Sequence, residues 1–315
     1  MSSLRRKLAL GLKISAIGFL LVLVPQIRSL EQEIGLSILF MLRDQQDPPS
    51  DVLIITLDKD SAQHFNFPAE PDMWPRSLHA ELVDSLISQG VKAIAFDLHF
   101  KRPQSLDNDQ LFAAAMQRAG NVVLCECLKT EKLQIGMHTA QIEKPDPPLQ
   151  VLQKSASAVS PFPLPKVPAR VFQYWTFKTS AGDKPTLPVA AFQVFAIEYY
   201  NDFFDLLKKF APDQVRNLPT NTEDILTADN LLPTIGMLRE VFIQDPSLSP
   251  KMLKELSRSQ DVSNYDERGH QILRALIKMY QSPESPFLNY YGAAGTMTTV
   301  PYYQNSRPSS GPPKK

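Results

Sequence analysis

Residues 74–100 read WPRSLHAELVDSLISQGVKAIAFDLHF, and this stretch decides the class of fold. Leucines recur at every fourth position after Pro75, which predicts a helix over residues 76–89 with one buried face and an end at Gly90. Residues 91–96 follow as an almost continuous apolar run, which is typical of a short strand covered on both faces. The stretch therefore predicts a helix that leads directly into a buried strand.

The same alternation continues on both sides of that stretch. Residues 52–57 (VLIITL) and 122–128 (VVLCECL) predict one strand before it and one strand after it. Residues 108–119 predict the connecting helix, and Gly120 is placed to end it. Strands and helices that alternate with short links form parallel strands joined by right-handed crossovers. We therefore predict an α/β fold in which a three-layer, parallel-type sheet carries flanking helices.

The segment after these strands is rich in proline. Seven prolines lie between residues 145 and 168, too many for a core element, so this segment is predicted to run extended over the domain surface. Residues 171–176 fit an edge strand or a hairpin arm. Residues 187–210 are then predicted to form one helix, with a proline in its first turn.

Residues 211–283 differ in sequence pattern from the rest of the chain. They predict short helices with polar faces, separated by Pro and Ser, and we interpret them as a helical subdomain inserted into a larger domain that covers residues 47–304. Asn264 and Glu267 resemble a capping box at the start of the last of these helices. The composition of residues 305–315 predicts a disordered tail.

The amino-terminal 27 residues predict a membrane anchor. A basic cluster precedes an apolar run from Leu8 to Val24, whose helix would span about 26 Å at about 1.5 Å per residue. That length is slightly short of a hydrocarbon core of about 30 Å. Positive charge before the run places the amino terminus in the cytoplasm and the rest of the chain outside. We therefore expect a single-pass protein of the cell membrane.

Two other interpretations of this run remain open. A cleavable secretory signal would have a shorter apolar region and end in small residues, and no small-x-small site follows Val22. A buried amphipathic helix would have a polar stripe, which the run lacks. Residues 28–46 then continue as an amphipathic stalk helix, with an apolar stripe through Leu30, Ile34, Ile38 and Leu42, which is predicted to dock onto the domain.

Composition excludes several function classes. Lys plus Arg and Asp plus Glu both number 33, and basic residues are not interleaved with aromatic ones, so no nucleic-acid partner is expected. The two cysteines, Cys125 and Cys127, alternate on a predicted strand, which is poor geometry for a mutual disulfide and too few ligands for a zinc site. We expect no cofactor. The motifs of common enzyme classes are absent, so the chain is not predicted to be an enzyme.

Two acidic residues follow predicted strands, Asp58 after the first and Asp97 after the second. The carboxyl edge of an open parallel sheet is where ligands bind, and neighbouring strands would bring these two carboxylates together. They could form a site for a ligand or a divalent cation. The alternative is that each carboxylate caps backbone amides in its own loop.

A second group of candidate ligand-binding residues lies at the start of the helix over residues 76–89. Trp74 and Arg76 would converge with the helix amino terminus to form a cradle for an anion or small molecule. Alternatively, Trp74 staples the start of the helix and Arg76 pairs with an acid at a strand end. His79 and His99 lie nearby, but no histidine spacing indicates a metal site.

Four segments together resemble a CHASE domain of type 2. They are residues 48–61 (PPSDVLIITLDKDS), 74–86 (WPRSLHAELVDSL), 90–100 (GVKAIAFDLHF) and 289–303 (NYYGAAGTMTTVPYY). The resemblance implies an extracytoplasmic sensory module of the kind found in bacterial adenylate cyclases, histidine kinases and serine/threonine kinases. Members usually continue with another strand, further membrane spans and a cytoplasmic effector, so the resemblance also implies carboxyl-terminal truncation.

We therefore expect a membrane-anchored domain that binds an external stimulus and biases its stalk helix. Because no effector is present in the sequence, the output would pass to a separate cyclase or kinase, or through a homodimer of the stalk helix. Two alternatives remain: a truncated scaffold that does not signal, and a membrane-tethered metal-dependent hydrolase that uses Asp58 and Asp97.

Overall fold

The computed structural model describes residues 25–135, 138–165, 171–227, 229–258 and 266–305, together with residues 11, 13 and 15. The predicted transmembrane helix between Leu8 and Val24 therefore lies almost entirely outside the described residues, as do residues 306–315 of the predicted tail. Within the described ranges, no helix combines the length and apolar character needed to cross a bilayer.

The chain divides into two compact units. Unit 1 comprises residues 1–54, 166–172 and 288–299, and unit 2 comprises residues 55–165, 173–287 and 300–315. The structure is of mixed α/β type, which confirms the predicted class.

Unit 1 is built around helix α1 (Pro25–Leu42), which begins before the predicted stalk at residue 28. Backbone hydrogen bonds join its three stretches: Gln46 N donates to Tyr291 O at 2.7 Å and Leu288 N donates to Phe172 O at 2.7 Å.

Three members of the apolar stripe predicted along the stalk helix are exposed. Ile34, Ile38 and Leu42 are 52%, 48% and 78% exposed, so unit 1 itself leaves these three side chains largely uncovered, and the docking of this face onto the domain stays a prediction. The side chain of Leu30 lies outside the described ones. An exposed stripe at four-residue spacing leaves apolar area in water, and covering it would be favourable.

The remaining elements follow along the chain. They are β1 (Ile54–Thr56), α2 (Lys59–Phe65), α3 (Arg76–Ser88), β2 (Ile94–Phe96), α4 (Leu106–Ala119), β3 (Val122–Ile135), β4 (His138–Asp146), α5 (Gln150–Ser155), β5 (Ala158–Pro161), β6 (Phe177–Lys178), β7 (Lys184–Pro185), α6 (Leu187–Phe195), α7 (Tyr200–Phe210), α8 (Thr222–Ile225), α9 (Leu231–Gln244), α10 (Leu248–Arg258), α11 (Glu267–Tyr280), β8 (Thr299–Pro301) and α12 (Tyr302–Asn305).

The central sheet of unit 2 has parallel strands in the order β2-β3-β5. Ile94 pairs with Val122 and Val123 pairs with Ala158, both in parallel register. The second half of β3 leaves this sheet and forms an antiparallel hairpin with β4. Helix α4 is the predicted crossover between β2 and β3, and Gly120 ends it with a φ of 65°. That left-handed conformation costs a glycine little.

The first predicted strand is not part of this sheet. Residues 54–56 form β1, which pairs with β8 instead. The sheet's third parallel strand is β5, inside the segment predicted to run over the surface. That prediction was wrong because the seven prolines flank a proline-free stretch, residues 149–160, which forms α5 and most of β5. Residues 171–176 contain only an isolated bridge at Gln173.

Successive side chains of β3 belong alternately to two apolar clusters. Val122 and Leu124 join a cluster formed with α3, α4 and α5. Val123 and Cys125 join a larger cluster formed with α6, α7 and α9 to α11. Successive residues of a strand point to opposite faces, so a continuous apolar strand with helices on both sides is the expected result.

The helices after residue 186 differ from the prediction mainly at their ends. The single helix predicted over residues 187–210 is interrupted by a 3₁₀ turn at Ile197–Tyr199. Helix α11 is capped by Asp266, whose side chain accepts from Gly269 N at 2.8 Å, and the predicted cap, Asn264, lies outside the described residues. Asp and Asn are equally good caps, so composition could not choose between them.

Candidate functional site

Asp58 caps a helix. Its carboxylate accepts a hydrogen bond from Ser61 N at 2.8 Å at the start of α2, and one from the Thr56 hydroxyl at 3.0 Å. Hydrogen bonds from Ser61 lower the pKa of Asp58. Because β1 is not a neighbour of β2, the sheet does not place Asp58 beside Asp97. The arrangement matches the capping alternative for Asp58.

Asp97 and His99 lie beyond the end of β2. Asp97 is exposed, and burial, followed by the charge of Asp97, raises the pKa of the Cys125 thiol to about 12. His99 Nε2 lies 2.9 Å from Asp146 O. Asp146 in turn forms ion pairs with Lys101 and, at 3.0 Å, with Lys129. In the described part of the chain, no group of three or more His, Cys, Asp or Glu side chains could hold a metal ion.

Trp74 is fully buried and holds two chain segments together. Its Nε1–H donates to Pro68 O at 2.8 Å, and its carbonyl accepts from Gln104 Nε2 at 2.8 Å. The ring stacks edge-on against Tyr302, with centroids 5.6 Å apart. A buried indole with a satisfied N–H is a packing element, so Trp74 does not face a ligand.

Arg76 is also fully buried. Its guanidinium lies 4.4 Å from the centroid of the Phe100 ring, and its Nε lies 3.7 Å from Asp109 Oδ1. Burial lowers the pKa of Arg76, while Asp109 and Asp72 oppose this effect. The partner of Arg76 is therefore an acid in the first turn of α4 and not an acid at a strand end. The guanidinium is covered and cannot form the predicted cradle.

His79 is the third buried member of this motif. Phe96, Phe100 and Phe112 surround its imidazole at centroid distances of 5.3 to 5.8 Å. Burial, and then the charge of Arg76, lower the pKa of His79 to about 3. The neutral imidazole is therefore the stable form at physiological pH.

Unit 1 contains a cavity of about 690 Å³. Its lining includes four aromatic rings and two charged side chains: Phe40, Phe172, Tyr290, Tyr291, Arg43 and Asp44. This volume lies within the range of about 300–1,000 Å³ that is usual for small-molecule sites, and a mostly apolar wall with a few polar groups is typical of them.

The wall of this cavity is held by contacts of Arg43. Its guanidinium donates to Asn289 Oδ1 and to Tyr290 O, and it lies 5.1 Å from the centroid of the Phe40 ring. Phe40 and Tyr290 meet edge-to-face with centroids 5.4 Å apart. The end of α1 and the segment after residue 288 therefore form one continuous wall.

Unit 2 contains a smaller, polar cavity of about 270 Å³. Its floor is the ion pair between Glu126 and Lys184. Side chains from α5 and from the start of α9 form its rim.

A family model described as the CHASE2 domain matches residues 14–306, nearly the whole chain. The chain belongs to the CHASE2 family. Its members are extracellular sensory domains, which is consistent with a sensory role for this CHASE2 domain. No curated protein and no solved structure matches the sequence significantly.

Sequence reasoning missed the residues that surround the Trp-Pro-Arg motif of this CHASE2 domain. Gln104 donates to the carbonyl of Trp74 and accepts from Arg76 N at 3.1 Å, and Asp109 faces the guanidinium. Nothing in the local pattern marks Gln104, because its role depends on a fold that brings together residues about thirty positions apart. Tyr302, by contrast, lies in the Tyr-Tyr segment on which the family resemblance rests.

Proposed function

We propose that this CHASE2 domain is the extracytoplasmic sensory part of a membrane-anchored, single-pass protein, and that it binds a small-molecule stimulus in the unit 1 cavity. The observation that carries the proposal is that the predicted stalk helix lines this cavity, through Phe40, Met41 and Arg43. A ligand there contacts the element that would transmit the signal. Family membership supports the sensory role and the extracytoplasmic placement.

The signal arises from a difference in affinity. A ligand shifts a two-state element only if it binds one state more tightly than the other. A molecule that contacts the Phe40 and Tyr290 rings would favour one position of the end of α1 relative to the segment after residue 288. We propose that the three-layer α/β body has no catalytic role.

The output passes to another chain. We propose a homodimer through the stalk helix, because the exposed side chains of Ile34, Ile38 and Leu42 recur at helical spacing and would be covered in a helix pair. A separate cyclase or kinase is the proposed effector. The predicted anchor between Leu8 and Val24 would hold the stalk at the bilayer, with the amino terminus in the cytoplasm.

The first experiment is a thermal-shift screen of small molecules on the full chain. A compound that raises the melting temperature should lose this effect in Phe40→Ala and keep it in Leu39→Ala. Leu39 is 63% exposed, lies on the same helix and does not line the cavity, so it is a matched control. Equal shifts in both variants would rule out the unit 1 cavity as the binding site.

The second experiment tests placement. A tag at the carboxyl terminus should be cleaved when protease is added to cells whose outer envelope has been made permeable while the cell membrane stays intact. A tag that stays protected until the cell membrane is lysed would overturn the extracytoplasmic placement.

A further inference from the structure

The floor of the unit 2 cavity is an ion pair inside the protein. Glu126 is 3% exposed, and its carboxylate contacts the ammonium of Lys184, whose side chain is 23% exposed. Val122, Leu124 and Glu126 occupy alternate positions of β3 and share a face of the sheet. Because Val122 and Leu124 are apolar, a third apolar side chain is expected at position 126, but the residue there carries a carboxylate.

Stability alone does not account for this carboxylate. Burial raises the pKa of Glu126, and Lys184 opposes the rise. A buried ion pair is often no more stabilising than apolar residues of the same volume, because both charges lose hydration. A polar molecule that contacts the pair would restore part of that hydration.

The rim adds a second pair of opposite charges. Lys154 lies on α5 and Asp229 precedes α9, and among the described residues neither of them forms an ion pair. Two carboxylates and two ammonium groups give the cavity no net charge. Val159 and Leu232 supply apolar wall, and Gln150 and Gln153 supply amides. The complementary ligand is a small neutral molecule that carries one positive and one negative group.

We propose that this cavity binds a free α-amino acid. Lys154 and Lys184 would hold its carboxylate, and Asp229 and Glu126 would hold its ammonium. The volume of about 270 Å³ is below the range of drug-sized pockets, which restricts the ligand to this size class. The site is separate from the unit 1 cavity and does not depend on the proposed stimulus.

Binding would join two helical layers of unit 2. Residues of α5 pack with the cluster on one face of the sheet, and residues of α9 pack with the cluster on the other. A bound amino acid contacts Lys154 from the first layer and Asp229 from the second.

The test is calorimetric titration of the full chain with each of the twenty amino acids. We expect at least one of them to bind, and we expect both Lys154→Met and Asp229→Asn to weaken that binding at least tenfold. Both substituted residues are exposed, so neither variant should fail to fold. Lys92→Met is the matched control, because the pair of Lys92 with Glu198 is exposed and lies elsewhere.

Single-charge analogues complete the design. Propionate and propylamine should bind at least tenfold more weakly than the preferred amino acid. Propionate that binds as tightly would overturn the zwitterion site in favour of a simple anion site. Failure of every amino acid at millimolar concentration, or equal binding by both rim variants, would also overturn the proposal. Phe40→Ala should leave this binding unchanged, which separates the result from that of the unit 1 screen.

Discussion

The hydroxyl of Tyr302 lies 3.1 Å from Nδ1 of His79 and 3.1 Å from the carbonyl oxygen of Leu78. A hydroxyl has one proton, so the consistent assignment has Nδ1–H of His79 donating to Tyr302 and Tyr302 donating to Leu78. Both rings are fully buried. This chain of hydrogen bonds attaches α12 to α3 across more than two hundred residues of sequence.

Removing the hydroxyl tests this attachment. Tyr302→Phe leaves Nδ1–H of His79 buried without a partner, which should lower the free energy of unfolding by about 1–3 kcal/mol. Urea denaturation should show a lower midpoint with an unchanged slope. Tyr303→Phe is the control: its hydroxyl accepts from Gln304 at 3.3 Å near the surface, and the expected loss is below about 0.5 kcal/mol. Equal losses would contradict the assignment.

The buried imidazole makes stability depend on pH. The pKa of His79 is about 3 in the folded protein, below its ordinary value of 6.5. The unfolded chain therefore binds the extra proton between these values, and stability falls as the pH drops from about 6.5 towards 3. Between pH 7 and pH 5 this group alone should cost about 2 kcal/mol.

The measurement is urea denaturation at both pH values for the wild type and for His79→Asn, which keeps a donor near the position of Nδ1. We expect the variant to be less stable at pH 7 and to lose less stability on acidification than the wild type does. If the variant loses as much stability between pH 7 and pH 5 as the wild type does, His79 titrates normally in the folded state.

The ion pair of Arg76 is predicted to be structural. Arg76→Ala leaves the carboxylate of Asp109, which is 3% exposed, without its counter-charge, and should cost about 3–5 kcal/mol. Arg118→Ala is the matched control, because Arg118 pairs with Asp84 in water with side chains 60% and 52% exposed. That variant should cost less than about 1 kcal/mol. A cost for Arg76→Ala as small as that of the control would refute the structural role.

Two glycines should respond oppositely to alanine. A Cβ on Gly292 would lie 2.5 Å from Thr296 Oγ1 and 3.0 Å from Gln45 Cγ, in the wall of the unit 1 cavity. Gly292→Ala should therefore destabilise the protein and weaken the binding of any ligand in that cavity. Gly236 lies inside α9 with nothing within 4 Å of its Cβ position. Gly236→Ala should raise stability by up to about 1 kcal/mol, measured by thermal denaturation.

The role of Asp58 can be tested by exchanging one cap for another. Asp58→Ala should cost about 1 kcal/mol, and Asp58→Ser should recover most of that loss because serine also caps helices. Adding magnesium chloride should change the melting temperature by the same amount in the wild type and in both variants. A rise confined to the wild type would instead favour the alternative of a cation site.

The sequence predicted the elements whose pattern is local. Helix α3, the crossover helix α4 and strand β2 lie close to the predicted positions, because leucine spacing, a terminal glycine and an apolar run each mark them directly. Strand β5 was missed because four residues beside prolines carry little pattern of their own. Its assignment depends on pairing with β3, and pairing is a long-range property.

The candidate site was harder to predict than the fold. Trp74, Arg76 and His79 do converge, but they converge on the core, where Asp109 and three phenylalanine rings surround them. Sequence spacing places side chains on one face of a helix without saying whether that face meets water or protein. For this reason both cavities were found only in the structure.

Tyr302 also determines when the domain can be completed during synthesis. It belongs to the same buried cluster as Trp74, Phe112 and Leu152, all of which precede it by at least 150 residues. Until residue 302 has been synthesised, that cluster lacks its last ring, and the imidazole of His79 lacks its partner. Folding of this core must therefore finish after translation has passed residue 302, and chaperones have an exposed aromatic surface to bind until then.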